Sequence, residues 1–139
     1  MENRKDYRMY SVVLSALSPM QKGIQALHST VAYITQNRPR YHYDVDQWMK
    51  RDKTAIILDG GSKREMDDLQ VAIFDTGIAA PVSFEEEDLD YMTTSFSILV
   101  SNEIYGMTKE EMEITEEDDS YTKRKKELAQ ILSSLRLAR

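Results

Sequence analysis

"YSVVLSALSPMQKGIQALHS", Tyr10–Ser29, runs a strand directly into a helix. Tyr10–Leu17 is mostly apolar and rich in strand formers, which predicts a buried strand. Ser18 has the side chain of an N-cap. Pro19 suits the first helical position, where no N–H is needed. Apolar residues then return at Met20, Ile24, Leu27, Val31 and Ile34, and this stripe is expected to face the core. A second stripe, Gln21, Gln25 and His28 continuing to Ala32, lies about 80–100° round the helix. It begins in the first helical turn, just after the strand ends, and three of its residues carry polar chemistry.

The 139-residue chain suits one domain and is long enough to bury a core without staples. It has no cysteine, so neither a disulfide framework nor a thiolate metal site is available. The start, "MENRKDYRMYSVV", lacks the apolar run of a signal peptide, and no stretch approaches the ~18 apolar residues of a membrane span. The expectation is a soluble cytoplasmic protein that makes no use of a membrane. The net charge of −6 disfavours indiscriminate nucleic-acid binding. It is unevenly spread: residues 1–83 hold 11 basic and 10 acidic side chains, 84–119 hold 1 and 13, and 120–139 hold 6 and 1. The chain thus divides into a balanced body (1–101), an acidic segment (102–119, with further acids just before it) and a basic tail (120–139).

The remaining elements follow the same logic. "RPRYHYDVDQW" reads as a connector, with a short helix around Asp46–Arg51 that buries Trp48. "KTAIILD" (Lys53–Asp59) is a buried strand. Ser62 and Glu65 have capping-box spacing, Met66, Leu69 and Ile73 face inward, and Gly77 suits the closing turn of that helix. "APVSFE" and "TTSFSILV" (Thr93–Val100) are two more strands. The order β-α-(α)-β-α-β-β predicts an α/β sandwich on a four-stranded mixed sheet, parallel across the helical crossovers and antiparallel at the short final link. Thr108 and Glu111 have capping-box spacing. Tyr121–Leu137 is expected to form an amphipathic C-terminal helix that buries Leu128, Ile131, Leu132 and Leu135 against the body or a second copy. Its basic first turn, unfavourable at a helix N-terminus, calls for an acidic neighbour in Glu110–Asp119.

"LSPMQKGIQALHS" resembles the strand-to-helix signature of the type 2 peptidyl-tRNA hydrolases, with Gln25 and His28 on that family's Gln and His. Trp48 before a strand, then "KTAIILD", a helix, "TGIAAPVSFEEEDLD" and "TTSFSILV" follow the same order, so the resemblance covers about residues 8–101. It implies hydrolysis of the ester joining a peptide to the 3′ end of tRNA, without a cofactor. Carried over, the active-site positions fall on Gln21, Gln25, His28, Glu86 (with Glu87 and Asp88 as alternatives) and Thr94 (with Thr93 as alternative). The family's Lys in the opening turn falls on Gln21, and Lys22, a candidate binding residue, is one place on. The family's Gly is Met20, the small residue before Gln25 is Ile24, and its Arg-Asp pair is Glu85–Glu86.

Two functions follow. As an enzyme, the chain would use His28 or Glu86 as general base for water, because no Ser-His-Asp arrangement is legible. As a non-catalytic binding or regulatory protein, it would keep the polar stripe as scaffold and meet a protein partner through its acidic surface. Metals are not expected: His42-x-Asp44 lacks a third ligand, and Glu86, Asp88 and Asp90 lack the glycine and terminal glutamate of a calcium loop.

Overall fold

The computed structural model describes residues 5–139, with Tyr41 and His42 described in the backbone only, so the His42 side chain lies outside the described residues. Four strands, β1 (Tyr7–Val13), β2 (Thr54–Asp59), β3 (Val82–Glu86) and β4 (Met92–Ser101), form one sheet in the order β2-β1-β4-β3. β1 and β2 are parallel, while β4 runs antiparallel to both β1 and β3. The helices are α1 (Pro19–Gln47), α2 (Lys63–Asp75), the short α3 (Asn102–Tyr105) and α4 (Ser120–Ser133). The α/β class and the mixed four-stranded sheet agree with the sequence reading.

One face of the sheet carries the apolar core. Tyr10, Val12, Phe96, Ile98 and Val100 point there, against Met66 and Ile73 of α2 and Leu128 and Leu132 of α4. The Ser62–Glu65 capping box forms, and Gly77 closes α2 at φ +71°. Gly60, after β2, is there for closeness: a Cβ would overlap Met66 Sδ and come within 2.7 Å of Val12 Cγ1.

The other face meets α1, and here the expected orientation is reversed. Met20, Ile24, Leu27 and Val31 are exposed and Ile34 is half-buried, while Lys22, Gln25, Ala26, Ser29 and Asn37 are buried. The reason lies in the sheet. Ser11, Ser95 and Ser97 are buried on this side, and hydroxyls without partners there would each cost about 1–3 kcal/mol. Ser29 Oγ lies 2.7 Å from Ser97 Oγ, and Thr30 Oγ1 lies 3.1 Å from Ser11 Oγ. Polar residues of α1 are therefore needed inside.

The expected connector is also helical: α1 continues through Pro39 to Gln47 and on through a π-helical turn, Trp48–Asp52. Proline removes only one donor, and Val45 (0 % exposed) holds the far end of the helix in place. Trp48 is half-buried rather than buried, and its Nε1 donates to the Thr54 carbonyl at 2.8 Å. Tyr7 OH donates to Asp44 Oδ1 at 2.9 Å, and burial, then that carboxylate, pushes the phenol pKa up. β1 ends at Val13, four residues before the expected Leu17, because Leu14–Leu17 turns over to deliver Ser18 to the helix.

The tail docks on the body. Leu128 and Leu132 are buried and Ile131 and Leu135 half-buried. Lys126 Nζ meets Asp118 Oδ2 and the Glu113 carbonyl, both at 2.8 Å, which supplies the acidic neighbour for the basic turn. The helix ends at Ser133, short of Leu137. Arg136–Ala138 instead lies beside β2, with Asp59 N–H donating to Arg136 O (2.8 Å) and Ala138 N–H to Ile57 O (2.9 Å). An edge strand's free backbone groups compete for these residues. Thr108 and Glu111 make both capping-box bonds around a single turn.

Gly60→Ala is expected to lower stability by about 1–3 kcal/mol, as overpacking does, read from the urea midpoint. Gly23→Ala, with nothing within 4 Å of its Cβ, should be neutral or stabilising. Hydrogen bonds from Lys126 to Asp118, from Thr122 N–H to Asp119 and from Thr108 N–H to Glu111 hold these three carboxyls below their ordinary values. A carboxyl depressed on folding stabilises above its unfolded pKa, and that contribution is lost as pH falls through the folded one. Amide exchange at Leu128–Leu132 should therefore quicken relative to β1 as pH drops below 3.8, the ordinary Asp value. Lys126→Met should shrink the effect.

Candidate active site at the first turns of the long helix

Ser18 fixes the start of α1. Its backbone is extended, and its Oγ accepts the Gln21 N–H at 3.2 Å. With the helix begun there, Gln25 in the following turn points into the sheet at 3 % exposure. Gln21, a turn earlier on the same side, stays exposed, with its Oε1 3.4 Å from Gln25 Nε2.

Gln25 joins three elements. Its Nε2 donates to Glu86 Oε2 at the end of β3 (2.9 Å), its Oε1 accepts from Thr94 Oγ1 on β4 (2.8 Å), and its carbonyl accepts from Ser95 Oγ (2.6 Å). Two successive strand residues reaching one helix residue is unusual, because neighbouring side chains point to opposite faces. A bulge accounts for it. Phe84 pairs with Ser95 but Glu85 pairs with Thr93, which leaves Thr94 as the extra residue on β4.

Of the sequence-derived candidates, Gln21, Gln25, Glu86 and Thr94 thus meet in one place. Glu86, not the exposed Glu87 or Asp88, reaches Gln25, and Thr94, not Thr93, bonds to it. His28 stands apart. Its ring packs 4.5 Å from that of Phe84, tilted by 55°, and its Nδ1 is buried without a hydrogen-bond partner among the described residues. Lys22 turns away altogether: it is buried, and its Nζ donates to the Arg139 main-chain oxygen at 3.1 Å. Ser95 and Phe84 escape a reading of the sequence, because the bulge that aims Ser95 is a matter of strand register, with no residue type to mark it.

Glu86 is half-buried, with one carboxylate oxygen committed to Gln25 and no bond to Oε1 from the described residues. Such a carboxylate can accept a proton from water while Gln25 fixes its orientation. Gln21's amide nitrogen, at the exposed lip, can donate to a carbonyl. No three His, Asp or Glu side chains among the described residues stand close enough together to hold a metal ion, and no described helix is long and apolar enough to cross a membrane. The chain matches no model of a known protein family and no curated protein.

Replacing Gln25 by Glu would set a second carboxylate against Glu86. The pair's proton would then be held more tightly in the folded protein than in the unfolded chain. Gln25→Glu should therefore lose stability at about pH 7.5 and regain part of it at about pH 5, as measured by urea midpoints. Gln25→Ala, which strands Thr94 Oγ1, should cost about 1–3 kcal/mol at both.

Proposed function

We propose that this chain is a divergent relative of the type 2 peptidyl-tRNA hydrolases that cleaves the ester between an acyl group and the 3′ end of tRNA. The supporting observation is the meeting of Gln21, Gln25, Glu86 and Thr94, side chains from three separate stretches of sequence, at the start of α1. Glu86 takes the proton of a water that adds to the ester carbonyl. Gln21 donates to the carbonyl oxygen as charge develops there, a neutral donor in place of a lysine. The carbon–oxygen bond to the ribose then breaks, and the ribose oxygen leaves with the proton that Glu86 took from the water. Thr94 holds Gln25, and Gln25 holds Glu86. No cofactor enters the scheme.

A second reading, a non-catalytic protein that binds a partner through its acidic surface, draws on two observations. Lys22 is engaged by Arg139 away from the cluster, and Glu85, Glu87 and Asp88 are exposed around Glu86. Both oppose a polyanion. Release of the acyl group from an N-blocked aminoacyl-tRNA separates the readings. The hydrolase should turn over, and Glu86→Gln and Gln21→Ala should each lower kcat at least ~10²-fold, the scale of positioned acid–base work. A folded but inactive wild type would leave the binding reading, in which changing Glu85, Glu87 and Asp88 to Lys abolishes capture of the partner.

A further inference from the structure

With its polar face inside, α1 leaves its apolar stripe in water. Met20 is 76 % exposed, Leu27 61 %, Val31 53 % and Ile24 37 %. Together with Ile34 they occupy alternating a and d positions of two heptads over about 21 Å of helix. The β-branched Ile24 and Val31 sit at a, and Met20, Leu27 and Ile34 sit at d, the spacing of a seam that packs against another helix.

The stripe's surroundings say which helix. The positions flanking it include Gln21, His28, Thr30 and Thr35, none of them acidic, lysine or arginine. Between Arg8 and Arg38 the only Lys, Arg, Asp or Glu is Lys22, which is buried. In a chain with 24 acidic residues this is a neutral band. Along α1 itself a charged partner finds no complement, whereas a second copy of the helix meets no like charge; Glu85, Glu87 and Asp88 lie at the margin, around Glu86. Four large apolar side chains exposed along one helix face approach the largest apolar patch of a typical monomer, roughly 300–600 Å². Two such patches with their polar margins reach the ~1,000 Å² that a specific interface needs.

We propose that a second copy of this chain docks on this stripe, α1 against α1 about a two-fold axis near Leu27, the midpoint between Met20 and Ile34. The inference rests on the orientation of α1 and not on hydrolysis. Gln21 and His28 border the stripe, so the second copy stands beside the candidate site.

Sedimentation equilibrium at micromolar concentration should give twice the 16.1 kDa chain mass. Leu27→Glu and Val31→Glu, each on an exposed position and checked for fold by circular dichroism, should raise the dimer dissociation constant at least ~10-fold. The chain has no cysteine, so Leu27→Cys should cross-link two chains on oxidation, while Val71→Cys on α2, 60 % exposed in the wild type, should not. A monomeric wild type would overturn the proposal. So would a dimer indifferent to both glutamates, or one that cross-links through Val71→Cys as readily as through Leu27→Cys.

Discussion

Ser97 Oγ lies 2.7 Å from both Ser11 Oγ and Ser29 Oγ, buried between the sheet and α1. This small chain of hydroxyls constrains the whole of that side of the molecule. A sheet face lined with serines cannot be covered by Ile, Leu and Met without stranding polar groups, so the helix above it must rotate its own polar residues inward. Once Ser29 meets Ser97, helical geometry puts Gln25 one turn earlier over the start of β4 and Lys22 near the edge of the sheet. The apolar stripe is left facing out. The candidate site and the exposed stripe therefore share one cause.

The far side of the site is set by backbone rather than by side-chain packing. β3 returns to β4 through a single 3₁₀ turn, Glu87–Leu89, followed by Asp90 and Tyr91 at φ 55° and 59°. Asp tolerates the left-handed region and Tyr does so less readily, at a cost on the order of 1 kcal/mol or more. In return the Tyr91 N–H reaches the Glu86 carbonyl at 2.9 Å and fixes the last residue of β3. The turn holds the Glu86 backbone and Gln25 holds its carboxylate, so the group is oriented from both ends. The bulge at Thr94 then brings β4 into the same arrangement.

The strands, the capping boxes and the sheet class were legible because they are local. Ser18-Pro19 and Ser62-x-x-Glu65 specify helix starts within four residues, and the apolar runs of β1, β2 and β4 identify strands wherever they sit, although β2, expected to be buried, lies at the edge of the sheet with only Leu58 buried. The orientation of α1 was not legible. Its hydrophobic period is correct for a core helix, and only the identity of the sheet face opposite, Ser11 and Ser97 from positions far apart in sequence, turns it round. Pro39 misled for a related reason: its local penalty is overridden by tertiary anchors such as Val45 and the Tyr7–Asp44 bond. The cluster of Gln21, Gln25, Glu86 and Thr94 was assembled by likeness to a family's motif order, whereas the choice among neighbouring acids depended on strand register.

The tail ties these parts together through Lys22. Docking Arg136–Ala138 along β2 protects the sheet's edge and carries Arg139 to the start of α1, where its main-chain oxygen accepts from the Lys22 ammonium. A buried ammonium needs such an acceptor, so the position of the tail decides where the only Lys or Arg of the opening turns points. With that charge drawn to the tail, Gln21 is left at the lip as a neutral donor beside Glu86. Leu128 and Leu132, the core contacts of α4 that hold the tail in place on the opposite face of the sheet, therefore act on where the Lys22 ammonium points.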